Sequence, residues 1–267
     1  MAISHHLIFG QYVDKKSIIH QLDPRTKLLI VMALMIAALF LTSLASYVML
    51  ALMVAAAIAA SRLPASYIIR GLKPVWLIVI ATSVFHLFLT QGGEALIRLG
   101  PLSIYELGVF KAITITVRIV LMLAMATLLT LTTKLSDLTS AIEALLSPLR
   151  RIGVPVQEIA MMITFTIRFI PILMQETDKI MKAQRARGVD FSSGHIFRRL
   201  LSFIPVIVPV LMLAFQKAES ASQAIEARGY RPGMKRTQLR TLAFQAIDYK
   251  ALLLSGLLLI MLIALRM

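Results

Sequence analysis

Two arginines in this chain sit in the same local setting, Ala186-Arg187-Gly188 and Ala227-Arg228-Gly229. A guanidinium is permanently charged and donates in a planar fork that fits a carboxylate. At the last turn of a helix, followed by a glycine stop, it becomes a cation at a fixed point. Two such points, 41 residues apart, suit docking into two acidic or polar pockets on another molecule. For one copy, a basic side chain complementing the helix dipole is a sufficient account. The repetition carries the argument. Ile170-Pro171-Ile172-Leu173-Met174 is echoed by Val208-Pro209-Val210-Leu211-Met212, at an offset of 38 residues. Each copy reads as an apolar lead-in kinked at proline, a polar helix, a terminal arginine and a glycine stop. The second copy has three extra residues between proline and arginine, close to one helical turn. In it Ala214, Ala218, Ala221 and Ile225 recur on one face, a spacing that lets helices cross closely.

Other chemistry is missing. The chain has no Gly-x-x-x-x-Gly-Lys-Ser/Thr phosphate loop, no His-Glu-x-x-His or other metal-ligand spacing and no Gly-x-Ser-x-Gly elbow. Cysteine is absent, which excludes disulfides and thiolate metal sites. We therefore expect no catalytic residue, no metal site and no cofactor. A net charge of +15 without aromatic–basic interleaving reads as loop charge in a membrane protein, with no nucleic acid as partner.

The elements that must position the arginines follow from hydropathy. The 267 residues are 58% hydrophobic, with mean hydropathy +0.83, so the fold class is all-α and polytopic. About five spans are expected: Leu28–Leu44, Tyr47–Ala60, Pro74–Thr90, Gly108–Thr132 and Ala251–Leu265. Asp23-Pro24 reads as an N-cap and first helical position, with Arg25 and Lys27 at the head groups. Basic residues before the first span and at Arg62, Arg70 and Lys73 put those ends inside. The Gln91–Leu107 loop, with Glu94 and Glu106, falls outside. The segment from Thr133 to Asp248 returns inside with 16 of the 28 Lys and Arg residues. Five spans leave the C-terminus outside.

The resulting domains are 1–133, with the first four spans; 134–248, a cytoplasmic coupling-helix domain with both arginine motifs; and 249–267, the last span. Two apolar patches in the inner domain, Ile159–Met174 and Leu200–Phe215, are each as long as a short span. Arg168 interrupts the first. Pro171 lies in the first, and Pro205 and Pro209 lie in the second. We read them as long helices at or under the membrane, although two extra spans would leave every other orientation unchanged. Leu135–Leu149 is amphipathic, an interfacial or a packing helix. His86 reads as a hydrogen-bonded structural residue. Arg118, the main charge within a span, reads as structural, paired with a carbonyl or a partner helix, with snorkelling to the interface as the alternative. No span carries a central Asp or Glu, which argues against a carrier driven by protons or sodium.

Three stretches carry a family resemblance: Phe9-Gly10-Gln11-Tyr12 followed by His20-Gln21-Leu22-Asp23-Pro24-Arg25-Thr26-Lys27-Leu28; Gln184-Arg185 before and Val189-Asp190 after the first arginine motif; and Glu226 before and Tyr230-Arg231-Pro232-Gly233 after the second. Over essentially its whole length the chain resembles the transmembrane T component (EcfT) of energy-coupling factor (ECF) vitamin transporters, related to the CbiQ-type proteins of cobalt transporters. The resemblance implies a bacterial plasma-membrane subunit that joins two ABC-type ATPase subunits to a small membrane-embedded substrate-binding S component. It implies that Arg187 and Arg228 each dock in one ATPase, and that coupling helices carry ATP-driven motion to the S component. The patches around Ile159–Met174 and Leu200–Phe215 would form part of the S-component platform. The rival readings are a self-contained channel or carrier, a lipid-modifying membrane enzyme, a conventional substrate-binding ABC permease, and the T component of a cobalt or nickel system.

Overall fold

The computed structural model describes residues 12–99, 102–191, 195–231 and 243–265. The chain is an all-α polytopic membrane protein. Among the described residues, six helical stretches are long and apolar enough to cross a bilayer: Leu44–Ser61, Ser66–Leu89, Glu106–Thr132, Val156–Ala186, Arg199–Ala227 and Ala246–Ala264. Two of these contain the inner patches that the sequence assigned to coupling helices. Length and composition qualify them as spans too. The described residues fall into two compact units, 142–231 and 12–141 with 243–265.

In the second of these units, α1 (Ile18–Gln21), α2 (Pro24–Phe40) and α3 (Leu44–Ser61) follow in close succession. Next come α4 (Ala65–Leu72), a 3-10 turn and α5 (Trp76–Leu89). The expected N-cap is present: the Asp23 carboxylate accepts from the Arg25 backbone N–H at 2.8 Å, and Pro24 opens α2. The long α6 (Glu106–Thr132) packs against α2, α3, α4 and α5. At about 40 Å it exceeds the ~30 Å hydrocarbon core. Leu34, Ala38, Leu50, Leu121, Leu131 and Leu262 form the buried centre, the last from α11 (Ala246–Ala264).

The expected outer loop contains β1 (Ala95–Leu99) and β2 (Leu102–Tyr105), an antiparallel hairpin. Its strand-forming Ile97, Ile104 and Tyr105 flank a Gly-Pro dipeptide, a signal that hydropathy averaging hid. The Leu135–Leu149 helix is shorter than expected. α7 spans Leu135–Leu146, then a 3-10 helix runs over Ser147–Ile152.

The other unit holds α8 (Val156–Ala186), α9 (Ile196–Leu201) and α10 (Ile204–Ala227). The helix of α8 continues through Pro171, and that of α10 through Pro209. Pro205 was expected to kink a helix already under way. Instead it lies in the first turn of α10, where a missing N–H costs nothing. The two copies therefore differ upstream: α8 has fifteen residues before its proline and α10 has five.

Candidate docking site and the polar junction

Both arginine motifs close their helices in the same way. Ala186 is the last residue of α8 and Arg187 its cap; Ala227 and Arg228 repeat this on α10. Gly188 has φ +88° and Gly229 φ +73°, the left-handed region that a Cβ disfavours. The Gly188 N–H donates to Arg185 O at 3.0 Å, and the Val189 N–H reaches Gln184 O at 3.0 Å. On α10, Gly229 donates to Glu226 O at 2.8 Å and Tyr230 to Ile225 O at 3.2 Å. This paired bonding satisfies the terminal carbonyls and fixes the chain's exit from each helix. Both arginines are exposed. Among the described residues, no hydrogen bond or ion pair engages either guanidinium.

The segment after Gly188 ties the first stop down. The turn there sends the chain back, so that Phe191 is buried with Met181 of α8 and Val206 of α10. Phe191 also packs on Phe203 at 5.1 Å, and the Arg185 guanidinium stands over its ring at 5.7 Å. The Gln184 amide donates to Pro205 O at 3.3 Å. The helices thus meet late in α8 and early in α10. This differs from the small-residue face expected to mediate the crossing: Ala218 is exposed, and Ala214, Ala221 and Ile225 are half-buried. Bulky side chains at the start of α10 make the contact instead. By helical rise, Arg187 lies about 9 Å beyond Met181, and Arg228 lies about 33 Å beyond Val206. Pro232 and Gly233 of the second motif's flank, like Phe9, Gly10 and Gln11, lie outside the described residues.

A second polar constellation sits in the other unit and was not foreseen. Asp248 is 1% exposed. One carboxylate oxygen accepts from the Asp23 backbone N–H at 2.7 Å, and the other from the Gln245 N–H at 2.8 Å. A single side chain thus completes a capping box at the start of α11 and holds the residue that caps α2. Lys27 was expected at the head groups, but it is 6% exposed. Its ammonium donates to His20 O at 3.2 Å and Thr132 O at 3.0 Å, because the last turn of α6 offers carbonyls without helical partners. His20 Nε2 lies 3.0 Å from Val13 O, and Nδ1 lies 2.7 Å from the Ser17 hydroxyl. Burial holds its pKa below the ordinary 6.5. Asp23, His20, Lys27, Thr132 and Asp248 border a cavity of about 280 Å³ with Tyr12, Asp137 and Lys134. The sequence signal for Asp248 was Gln245-x-x-Asp248 just before an apolar run, a capping-box spacing.

Arg118 of α6 donates to Leu41 O at 2.9 Å and, through Nη2, to the Tyr47 hydroxyl at 2.6 Å. It therefore braces the α2–α3 turn. His86 Nδ1 lies 3.5 Å from the hydroxyl of Thr90, the residue that caps the C-terminal end of α5.

Residues 15–239 match the family model described as "Cobalt transport protein". Curated relatives named "Energy-coupling factor transporter transmembrane protein EcfT" match as well. That of Brevibacillus brevis is 44% identical over 239 residues, covering 90% of this chain and 90% of its own. That of Heliobacterium modesticaldum is 44% identical, and that of Bacillus subtilis 40%; each comparison covers 91% of both chains. The chain belongs to this family of transporter transmembrane proteins. The matched region takes in both arginine motifs and the Asp23-Lys27 stretch. It also runs far beyond the three stretches that carried the resemblance.

Proposed function

We propose that this T component is the coupling subunit of an ECF-type ABC vitamin importer in a bacterial plasma membrane. Arg187 and Arg228 each anchor one of two ABC-type ATPase subunits, with Ala186, Gly188, Ala227 and Gly229 setting their position. α8 and α10 carry the motion of ATP-driven closure to a small membrane-embedded S component that holds the substrate. ATP hydrolysis belongs to the partners, and this chain needs no cofactor. Residues 134–248 face the cytoplasm with the N-terminus, while the C-terminus lies outside.

One observation carries this reading: two helices end in the same doubly bonded glycine turn, each presenting an arginine with no engagement among the described residues. A guanidinium that only complements a dipole needs no such duplicated geometry. The test is co-purification. Wild-type chain should capture both ATPases and one further small membrane protein. Arg187→Glu and Arg228→Glu should each weaken capture, and the double variant should abolish it along with vitamin uptake. Unchanged capture and uptake in the double variant would refute the assignment. ATP-independent transport by the chain alone in liposomes would favour a self-contained carrier.

A further inference from the structure

Between α2, α3, α6 and α11 runs an apolar cavity of about 480 Å³. Along α3 it extends from Met49 to Ala60, a rise of about 16 Å. That matches one leaflet, half of the ~30 Å hydrocarbon core. Its α3 wall ends in the small residues Ala56, Ala57 and Ala60, which leave room beside the helix. Ala60 also borders a second cavity of about 360 Å³, at the end of α3. That cavity is lined by Lys16, Ser17, Gln21 and Arg62 and by no acidic residue. The 280 Å³ polar cavity shares Gln21 with this one and Leu22, Lys27 and Thr132 with the apolar one, but its lysines, Lys27 and Lys134, lie among Asp23, Asp137 and Asp248.

Arg62 adds an independent observation. It caps α3 in the left-handed conformation, φ 54°, and no other non-glycine residue among those described has positive φ. A glycine or asparagine is the ordinary choice there. A non-glycine residue held in this region points to a use for its side chain. Lys15 secures the turn by donating to Arg62 O at 3.1 Å, which leaves the exposed guanidinium at the cavity's edge.

We propose that these two cavities form one site for an anionic phospholipid. An acyl chain lies along α3 in the apolar cavity, and the head-group phosphate sits between Lys16 and Arg62. Charge selects the occupant. A zwitterionic head group brings a cation to a place already doubly positive, and an uncharged partner helix makes no use of the basic end. The bound lipid would be retained through purification and would link the start of α1 to the end of α3.

The experiment is native mass spectrometry of the full chain released from nanodiscs holding equal phosphatidylglycerol and phosphatidylcholine. The expected result is retained phosphatidylglycerol at least five-fold over phosphatidylcholine. Arg62→Gly with Lys16→Ala should bring the ratio to about one. The glycine suits the local backbone, so thermal stability in detergent should hold. Ala56→Leu should reduce retention of both lipids by filling the groove. Free glycerol phosphate in excess should displace neither. Equal retention of the two lipids by wild type, an unchanged ratio in the double variant, displacement by glycerol phosphate, or cross-linking of an Ala56→Cys variant to a protein instead of lipid would each overturn the proposal.

Discussion

The polar groups of Asp248 and Lys27 and those of Arg187 and Arg228 meet opposite fates. Asp248 and Lys27 are buried, and backbone groups of other segments take up their hydrogen-bonding capacity. The two arginines are exposed on helices whose own carbonyls are already satisfied by glycine turns. Charge of the first kind joins the chain to itself. Charge of the second kind is held available. Composition alone gives no way to tell them apart, since each is one ionised residue near a helix end.

Four measurements press on that contrast. The largest effect is expected from the Arg187→Glu, Arg228→Glu double variant. Loss of one charged interface contact costs about 2–5 kcal/mol, so losing both should leave no detectable ATPase complex. The unfolding temperature of the isolated chain should stay within a degree or two. A large fall in that temperature would mean that the arginines serve the fold, and the contrast would fail. Asp248→Ala should do the converse. One buried N–H, that of Asp23, and one half-buried N–H, that of Gln245, lose a charged acceptor, for a stability loss of about 2–3 kcal/mol. Thermal unfolding in detergent reads this directly.

Gly188→Ala should be milder, about 1–2 kcal/mol, from forcing a Cβ into the left-handed region; no neighbour obstructs the added atom. ATPase capture should weaken less than with Arg187→Glu, because the cation remains but its aim loosens. The smallest effect concerns acid. His20 has a lowered pKa in the folded chain, so below about 6.5 the unfolded chain binds the proton more readily. Stability should decline as pH falls from 7.5 to 5.5, and His20→Gln should flatten that decline. An identical slope in the variant would remove His20 from the polar junction's acid response.

Much of this was legible beforehand because it is local. Asp23-Pro24 announces its own cap, and Ala-Arg-Gly announces its own stop. Repetition then marked Arg187 and Arg228 as a pair. What escaped depends on contacts distant in sequence. Lys27 looks like a head-group lysine until α6 brings the Thr132 carbonyl to it across 105 residues. Asp248 looks like loop until Asp23 meets it across 225. The alanine face of α10 had suitable spacing for a close crossing, yet the contact formed where Phe191 folds back onto Val206. No periodicity within α10 encodes that return. The hairpin at Ala95–Tyr105 was missed for the simpler reason that two such short strands vanish in a window sized for spans.

The off-centre meeting of α8 and α10 makes them unequal levers. A change of 10° in their crossing angle would swing the Arg187 tip by about 2 Å, but the Arg228 tip by about 6 Å. The same hinge would thus act as a fulcrum at one end and a sweep at the other. Two equivalent motors gripping these tips would feel different mechanical loads, and their strokes would enter the membrane subunit with different gearing.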